Sequence, residues 1–97
     1  MGKEIEISIV LPCLNEEKAI GMCLDSINKV IIENKLDAEI IVVDNGSTDK
    51  TVKIAKRYGC KVGYALAVGK ARKLGFDMSR GVYIFFIEAS CFFREEK

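Results

Sequence analysis

A chain of 97 residues makes at most one domain, with room for a real but modest hydrophobic core. Hydrophobic residues make up 49% of the chain and charged residues 30%, a composition typical of globular proteins rather than disordered or membrane-spanning ones. The net charge of +1 gives no basic surface of the kind that binds nucleic acid or an anionic membrane.

Histidine is absent, which excludes His-based catalytic triads and His zinc ligands. Any chemistry must therefore come from carboxylates, lysine, arginine, hydroxyls or backbone groups. The cysteines show no CxxC pair, and we interpret them as reduced, mostly buried thiols of a cytoplasmic protein: Cys13, Cys23, Cys60 and Cys91. Neither a secretory signal nor a transmembrane segment is predicted.

The first predicted elements are a strand and a long helix. Residues 5–11 are mostly β-branched and apolar, and the strand is expected to stop at Pro12, which cannot donate to a sheet ladder. Residues 16–34 have helical spacing, with Asn15 as the predicted N-cap. The apolar stripe of this helix consists of Ile20, Leu24, Ile27 and Ile31.

A second strand is predicted over the aliphatic residues 39–43, of the kind buried on both faces in a parallel sheet. Ser47 or Thr48 is expected to cap a second helix over residues 49–58. Gly59 is a natural left-handed stop for that helix.

The remaining elements are a weak strand over residues 60–65, a helix over residues 70–79 and a strand from Val82 to Ile87. The third helix should face inward through Ala71, Leu74 and Met78 and end near Gly81. This βαβαβαβ order predicts an α/β fold, with right-handed crossovers and a parallel sheet between helices in a three-layer αβα, Rossmann-like arrangement.

Polar residues follow three of the predicted strands, at 12–16, 44–48 and 88–90. The carboxyl ends of parallel strands share one edge of a sheet, where open α/β folds bind their ligands. Asp44 would therefore end its strand at the edge of the sheet where a ligand binds. The alternative is that Asp44 only caps the turn that follows it, through backbone N–H groups.

Three segments carry a resemblance to a known family: SIVLPCLNEEKAIGMCLDSI at 8–27, AEIIVVDNGSTDKTVKIAKRYGCKV at 38–62 and GKARKLGFDMSRGVYIFFIEAS at 69–90. The chain resembles the inverting family 2 glycosyltransferases of GT-A fold, and among them the transferases that pass sugars to polyprenyl phosphates. The resemblance implies the nucleotide-binding half of a GT-A domain, with a four-stranded parallel sheet of order 3-2-1-4. Residues 1–97 would then form a single truncated domain that binds a nucleotide-diphosphate sugar.

The resemblance also implies a nucleotide site. Pro12, Asn15 and Glu16 would line the nucleoside pocket, with Glu16 on the ribose hydroxyls. Asp44 would accept from an N–H of uracil or guanine, beside Gly46 and Ser47. Lys70 or Arg72 would offset the charge of the diphosphate, although both residues are equally compatible with a solvated helix face.

The metal motif departs from the family. The family usually has Asp-x-Asp after the fourth strand to hold Mg²⁺ or Mn²⁺, whereas this chain has Glu88, Ala89 and Ser90. Glu88 still offers a hard oxygen ligand, but the Ser90 hydroxyl is a poor substitute for a carboxylate. We therefore expect weak metal binding.

A complete GT-A domain is about twice this length, and the other half would carry the acceptor site and the catalytic base. Two functions follow from this. The chain is a glycosyltransferase, incomplete or inactive in isolation, or it is a non-catalytic nucleotide-binding or interaction module. The uncharged strand from Val82 to Ile87 would lie at the sheet edge and is expected to form a homodimer. The alternative is that the C-terminal tail folds back over this edge and keeps the chain monomeric.

Overall fold

The computed structural model describes residues 4–66 and 68–87, which form a parallel sheet with helices on both faces. The strands and helices alternate along the chain: β1 (Ile7–Cys13), α1 (Glu17–Glu33), β2 (Ala38–Asp44), α2 (Thr51–Arg57), β3 (Lys61–Tyr64), α3 (Val68–Met78) and β4 (Tyr83–Phe86). The strand order is β3-β2-β1-β4, which confirms the predicted order 3-2-1-4. None of these helices has the length and apolar character of a membrane span.

β1 continues through Pro12 instead of stopping there, which corrects the predicted end of the first strand. Pro12 pairs in register with Val43 of β2. The carbonyl of Val10 accepts from the Ile87 N–H on the β4 side, so two residues later the Pro12 nitrogen also faces that side. Because the last described pair of β1 with β4 is Val10 with Phe86, Pro12 lies beyond that ladder and interrupts none of its bonds.

Two hydrophobic clusters fill the space between the sheet and its helices. One lies under α1 and α2 and includes Leu11, Ile20 and Leu24, each fully buried. The other lies under α3 and is built around Val10, Ile41 and Val43. The predicted inward residues of the third helix pack there: Ala71 is buried, and Leu74 and Met78 are half-buried against the cluster.

Two glycines allow α3 to lie close to the sheet. A Cβ on Gly75 would lie 2.4 Å from Val10 Cγ1, and a Cβ on Gly63 would lie 2.6 Å from Met78 Sδ. The left-handed Gly59, with φ of 80°, ends the α2 region as predicted. At the end of α1 the left-handed position is held by Lys35, with φ of 52°.

A polar cluster joins the amino ends of the strands, at the edge of the sheet opposite the predicted ligand site. The Glu39 carboxylate, with its side chain 8% exposed, accepts from the Ser8 hydroxyl at 2.5 Å and from the Arg80 N–H at 2.7 Å, and lies 2.7 Å from Lys61 Nζ. The Ser8 hydroxyl in turn accepts from the Gly81 N–H at 2.8 Å. This cluster connects β1, β2, β3 and the turn before β4.

Candidate functional site

Two loops lie side by side at the carboxyl edge of the sheet. The first rim loop (residues 14–16) follows β1, and the second rim loop (residues 45–50) follows β2. Three consecutive backbone N–H groups, at the end of the first rim loop and the start of α1, donate to side chains of the second rim loop and of the first residue of α2. The bonds run from Asn15 to Ser47 Oγ at 2.8 Å, from Glu16 to Thr51 Oγ1 at 2.9 Å and from Glu17 to Asp49 Oδ2 at 3.2 Å. The polar residues of the sequence STDKT thus satisfy the N-terminus of a helix that lies more than thirty residues earlier.

Bonds also run in the opposite direction. The Thr48 N–H donates to Asn15 Oδ1 at 2.8 Å, and the Lys50 N–H donates to Glu17 Oε1 at 2.9 Å. The sequence predicted Asn15 as the N-cap of the first helix, and this prediction is wrong. Asn15 adopts a left-handed φ of 51°, and the N-cap position belongs to Glu16, whose side chain makes no capping bond.

The second helix begins later than predicted, and neither Ser47 nor Thr48 caps it. The N-cap is Lys50 and the first helical residue is Thr51. Asp49, predicted inside the first turn, precedes the helix and accepts from the N–H and the hydroxyl of Thr51. Burial opposes the charge on Asp49, but the bonds from Thr51 and from the Glu17 N–H outweigh it and hold the pKa of Asp49 below its usual value.

Asp44 ends β2 with a buried side chain that holds the second rim loop. The residue is 2% exposed, and its carboxylate accepts from the Gly46 N–H at 3.0 Å, the Ser47 N–H at 2.8 Å and the Ser47 hydroxyl at 2.5 Å. This is the turn-capping role that sequence reasoning kept as an alternative. Since an ionised carboxylate offers about four acceptor positions, three bonds leave room for one more donor.

Two acceptors at this rim have no partner among the described residues. The half-buried Glu16 carboxylate forms no hydrogen bond or ion pair with them, and the buried Asn45 Oδ1 is unpaired. The Asn45 backbone is fixed by its N–H, which donates to the Cys13 carbonyl at 2.9 Å. The sequence predicts a role for Glu16, and the structure adds Asn45 as a candidate that the prediction did not include. The feature of the sequence that could have indicated Asn45 is its position directly after the buried strand β2, at the start of a polar loop.

The ends of β1 and β2 are tightly packed around this rim. Burial, with the charge of Glu16 as the next cause, raises the pKa of Cys13 to about 12, so this thiol is inert at neutral pH. Gly46 has φ of 104°, and a Cβ there would also lie 3.2 Å from Leu66 Cδ2. A side chain at residue 46 would strain the loop that Asp44 holds.

The two candidate phosphate ligands, Lys70 and Arg72, lie on opposite flanks of α3. Lys70 lines a cleft of about 610 Å³ beside β3, together with Tyr64, Leu66 and Lys73. Arg72 lies on the β4 side, with its guanidinium carbon 5.1 Å from the centre of the Phe86 ring. The structure therefore does not bring the two cations together.

The predicted metal residues Glu88 and Ser90 lie outside the described residues. Within residues 4–66 and 68–87 no group of three or more Cys, Asp or Glu side chains is arranged to hold a metal ion. The donors offered by the sequence itself are one carboxylate and one hydroxyl, which suit a divalent cation less well than two carboxylates do.

Comparison with known proteins identifies the family. Residues 8–97 match the description Glycosyl transferase family 2. The chain belongs to this family. Two curated relatives are similar to the chain. It is 45% identical over 64 residues to glucosyl-3-phosphoglycerate synthase of Petrotoga mobilis and 31% identical over 88 residues to dodecaprenyl-phosphate galacturonate synthase of Rhizobium johnstonii. These matches cover 65% and 81% of the chain, but 20% and 26% of the relatives.

Solved structures confirm the GT-A arrangement. Mannosyl-3-phosphoglycerate synthase from Rubrobacter xylanophilus matches 88% of the chain with a TM-score of 0.80 and 27% identity. Glucosyl-3-phosphoglycerate synthase from Mycobacterium tuberculosis, solved with Mn²⁺, UDP and glucosyl-3-phosphoglycerate, matches 88% of the chain with a TM-score of 0.69 and 34% identity. The chain spans between a fifth and a third of the length of these family 2 relatives.

Proposed function

We propose that the chain binds a nucleotide-diphosphate sugar of the UDP or GDP type at the two rim loops, as the donor for inverting glycosyl transfer. The observation that carries this proposal is a pair of acceptors, the Glu16 carboxylate and Asn45 Oδ1, that have no partner among the described residues and lie beside the loop that Asp44 and Asn15 hold. Ribose hydroxyls and base N–H groups are donors that such acceptors recognise. The similar glucosyl-3-phosphoglycerate synthase from Mycobacterium tuberculosis was solved with UDP, which supports the ligand class.

In this proposal the remaining rim residues shape the pocket. Pro12 and Asn15 set the course of the first rim loop, and Gly46 and Ser47 set that of the second. Asp44 holds the second loop through three bonds, and its one remaining acceptor position is available to a base N–H. Lys70 and Arg72 are the candidate cations for the diphosphate.

We propose that Glu88 contributes one ligand to Mg²⁺ or Mn²⁺ and that Ser90 makes this site weak. The metal, when bound, would neutralise charge on the leaving diphosphate. The solved relative that contains Mn²⁺ with UDP supports a divalent ion in this family. The chain's own residues would bind and orient the nucleotide, and we propose that residues 1–97, as one truncated domain, do not transfer sugar in isolation.

A second candidate function is a non-catalytic module that acts as a homodimer. β4 is an edge strand that pairs only with β1 among the described strands. Apolar residues of β4 and of the position before it are exposed, with Val82 at 72%, Tyr83 at 58% and Phe85 at 52%. Antiparallel pairing of two β4 strands across a twofold axis would give a continuous eight-stranded sheet. Free Cys13, Cys23 and Cys60 support a reducing, cytoplasmic location.

The experiment that tests nucleotide binding uses two adjacent carboxylates as a matched pair. UDP, GDP and their sugars are titrated by calorimetry into the wild type, Glu16→Gln and Glu17→Gln. We expect Glu16→Gln to weaken binding at least several-fold. Because Glu17 accepts from the Lys50 N–H, Glu17→Gln should leave the affinity unchanged. No binding of any nucleotide by the folded wild type would overturn the proposed function.

A further inference from the structure

We infer that Phe86 is a positioning residue that holds the Arg72 guanidinium where it meets the diphosphate of the bound nucleotide. The inference rests on the proposed function and selects Arg72 over Lys70. The guanidinium carbon lies 5.1 Å from the centre of the Phe86 ring, within the range of a cation–π contact. Sequence reasoning did not identify Phe86.

The geometry of α3 separates the two cations. Two residues along an α-helix correspond to a rotation of about 200°, so their side chains lie on nearly opposite faces. Lys70 faces the cleft beside β3, whereas Arg72 faces β4. β4 is the strand that leads directly into Glu88, the candidate metal ligand. A diphosphate bound at the carboxyl end of β4 would therefore contact Arg72 and not Lys70.

The sheet register places Phe86 at the right height for this role. Phe86 is the last residue of β4 and pairs with Val10, the residue on which Gly75 of α3 packs. Arg72 is one helical turn nearer the start of α3 than Gly75 is. Because α3 runs back along the sheet from the ends of the strands, that turn lies towards the ligand edge.

The chemistry of the contact suits an anion ligand. A guanidinium that stacks through its flat face keeps its five N–H donors at the edge, free for bidentate contact with phosphate oxygens. No carboxylate of the described residues forms an ion pair with Arg72 that would compete for these donors. The ring restricts the long side chain before binding, which lowers the entropy cost of ordering it on the ligand.

The test compares UDP with uridine, because only UDP carries the diphosphate. Calorimetry is done on the full chain as wild type, Arg72→Ala, Phe86→Leu, Phe86→Tyr and the Arg72→Ala, Phe86→Leu double variant. Arg72→Ala should weaken UDP binding roughly tenfold and leave uridine binding unchanged. Phe86→Leu should weaken UDP binding several-fold, also without an effect on uridine binding. Phe86→Tyr keeps an aromatic ring and should bind UDP with the wild-type affinity.

The double variant should bind UDP no more weakly than Arg72→Ala, because Phe86 acts through Arg72. Wild-type affinity in Phe86→Leu, or additive losses in the double variant, would overturn the inference. Arg72→Lys provides a second test that leaves the strand intact: it keeps the charge but not the stacked plane, and undiminished UDP binding would also overturn it. Failure of the wild type to bind UDP, GDP or either sugar nucleotide would instead overturn the proposed function itself.

Discussion

The carboxylates of Asp49 and Glu17 join the starts of two helices, because each accepts a backbone hydrogen bond from the segment that carries the other. The Glu17 N–H donates to Asp49 Oδ2 at 3.2 Å, and the Glu17 carboxylate accepts from the N–H of Lys50, the neighbour of Asp49, at 2.9 Å. Each helix start thus receives its capping acceptor from the other rim segment. Both carboxylates also lie at the positive ends of the helices, where negative charge is favourable.

We predict that Asp49→Ala and Glu17→Ala each lower the melting temperature and that their effects are not additive. Removal of the Asp49 side chain leaves the N–H groups of Glu17 and Thr51 unpaired, and removal of the Glu17 side chain leaves the Lys50 N–H unpaired, so both changes loosen the same junction. A double-mutant cycle by thermal denaturation measures the coupling. Lys29→Ala, a change to an exposed residue of α1, is the control. Additive effects would show that the two carboxylates act independently.

We predict that Asp44→Asn weakens nucleotide binding more than Asp49→Asn does. Asp44 ends β2 at the rim and keeps one acceptor position open, whereas the Asp49 carboxylate is occupied by the starts of α1 and α2. Asp49→Asn should mainly reduce thermal stability. Calorimetric titration of both variants with UDP and GDP distinguishes the roles. Equal affinities in the wild type and Asp44→Asn would contradict a role for Asp44 in binding.

We predict that Mn²⁺ improves nucleotide binding little in the wild type and clearly more in Ser90→Asp. The substitution adds a second carboxylate two residues after Glu88 in the sequence, and two hard anionic ligands hold a divalent cation better than one. Titrations with UDP in the presence and absence of Mn²⁺ measure the difference. Ser90→Asn, which adds a neutral side chain of the same size, is the control. Strong Mn²⁺ dependence in the wild type would show that the altered motif binds metal well.

We predict a homodimer through β4 that Phe85→Lys disrupts. Light scattering after gel filtration at micromolar concentration gives the oligomeric state. Tyr64→Lys on β3, the other edge strand, is a matched control because Tyr64 is 57% exposed against 52% for Phe85. A monomeric wild type would refute the dimer.

A second variant tests the strand pairing in this dimer. The Tyr83 N–H donates to the carbonyl of Glu6, just before β1, and the Ile87 N–H donates to Val10 of β1, so by alternation the Ile84 N–H points away from the sheet. Ile84→Pro removes this outward donor and should break the dimer while the bonds to β1 remain. A dimer that persists in Ile84→Pro would exclude antiparallel pairing of two β4 strands.

We predict that Glu39→Gln lowers the free energy of unfolding by about 2 kcal/mol at neutral pH, the range for hydrogen bonds to a charged group. Burial opposes ionisation of Glu39, but the contacts with Lys61, Ser8 and the Arg80 N–H outweigh it and lower its pKa. The control is Lys73→Gln, which removes an exposed pair with Asp77 and should cost under about 0.5 kcal/mol.

The contribution of Glu39 depends on pH in a defined direction. Because its folded pKa lies below the unfolded value of about 4.3, the added stability is present above that pH and is lost as the pH falls through the folded pKa. Urea denaturation of the wild type and Glu39→Gln should therefore show a difference that is constant near neutral pH and shrinks below about pH 4. A difference that persists at pH 2 would contradict this assignment.

The sheet order was predictable because the βαβ pattern and the family resemblance both restrict it, and the buried stripe of α1 was visible in its spacing. The helix starts were not. Asn15 and Ser47 are good N-cap residues by their local chemistry, but both instead bond to the opposite rim loop. Local propensity cannot reveal a partner that only the pairing of β1 with β2 brings near.

The same limit explains the other differences. Whether Pro12 ends a strand depends on which neighbour its nitrogen faces, and that is set by register rather than by the residue itself. Phe86 looked like one more apolar residue of a strand until the structure placed Arg72 above its ring. The role of Glu16 stays a prediction from the family resemblance. Asn45 could not be predicted, because only the fold shows that its Oδ1 is buried without a partner among the described residues.

The bonds between the two rim loops have a consequence for amide hydrogen exchange. The donors are backbone N–H groups of Asn15, Glu16, Glu17, Thr48 and Lys50, and their acceptors are side chains of the opposite segment. Each of these amides is protected only while both loops are in place. They should therefore exchange at a common rate as one cooperative opening unit, although they lie in two stretches of chain separated by a helix and a strand.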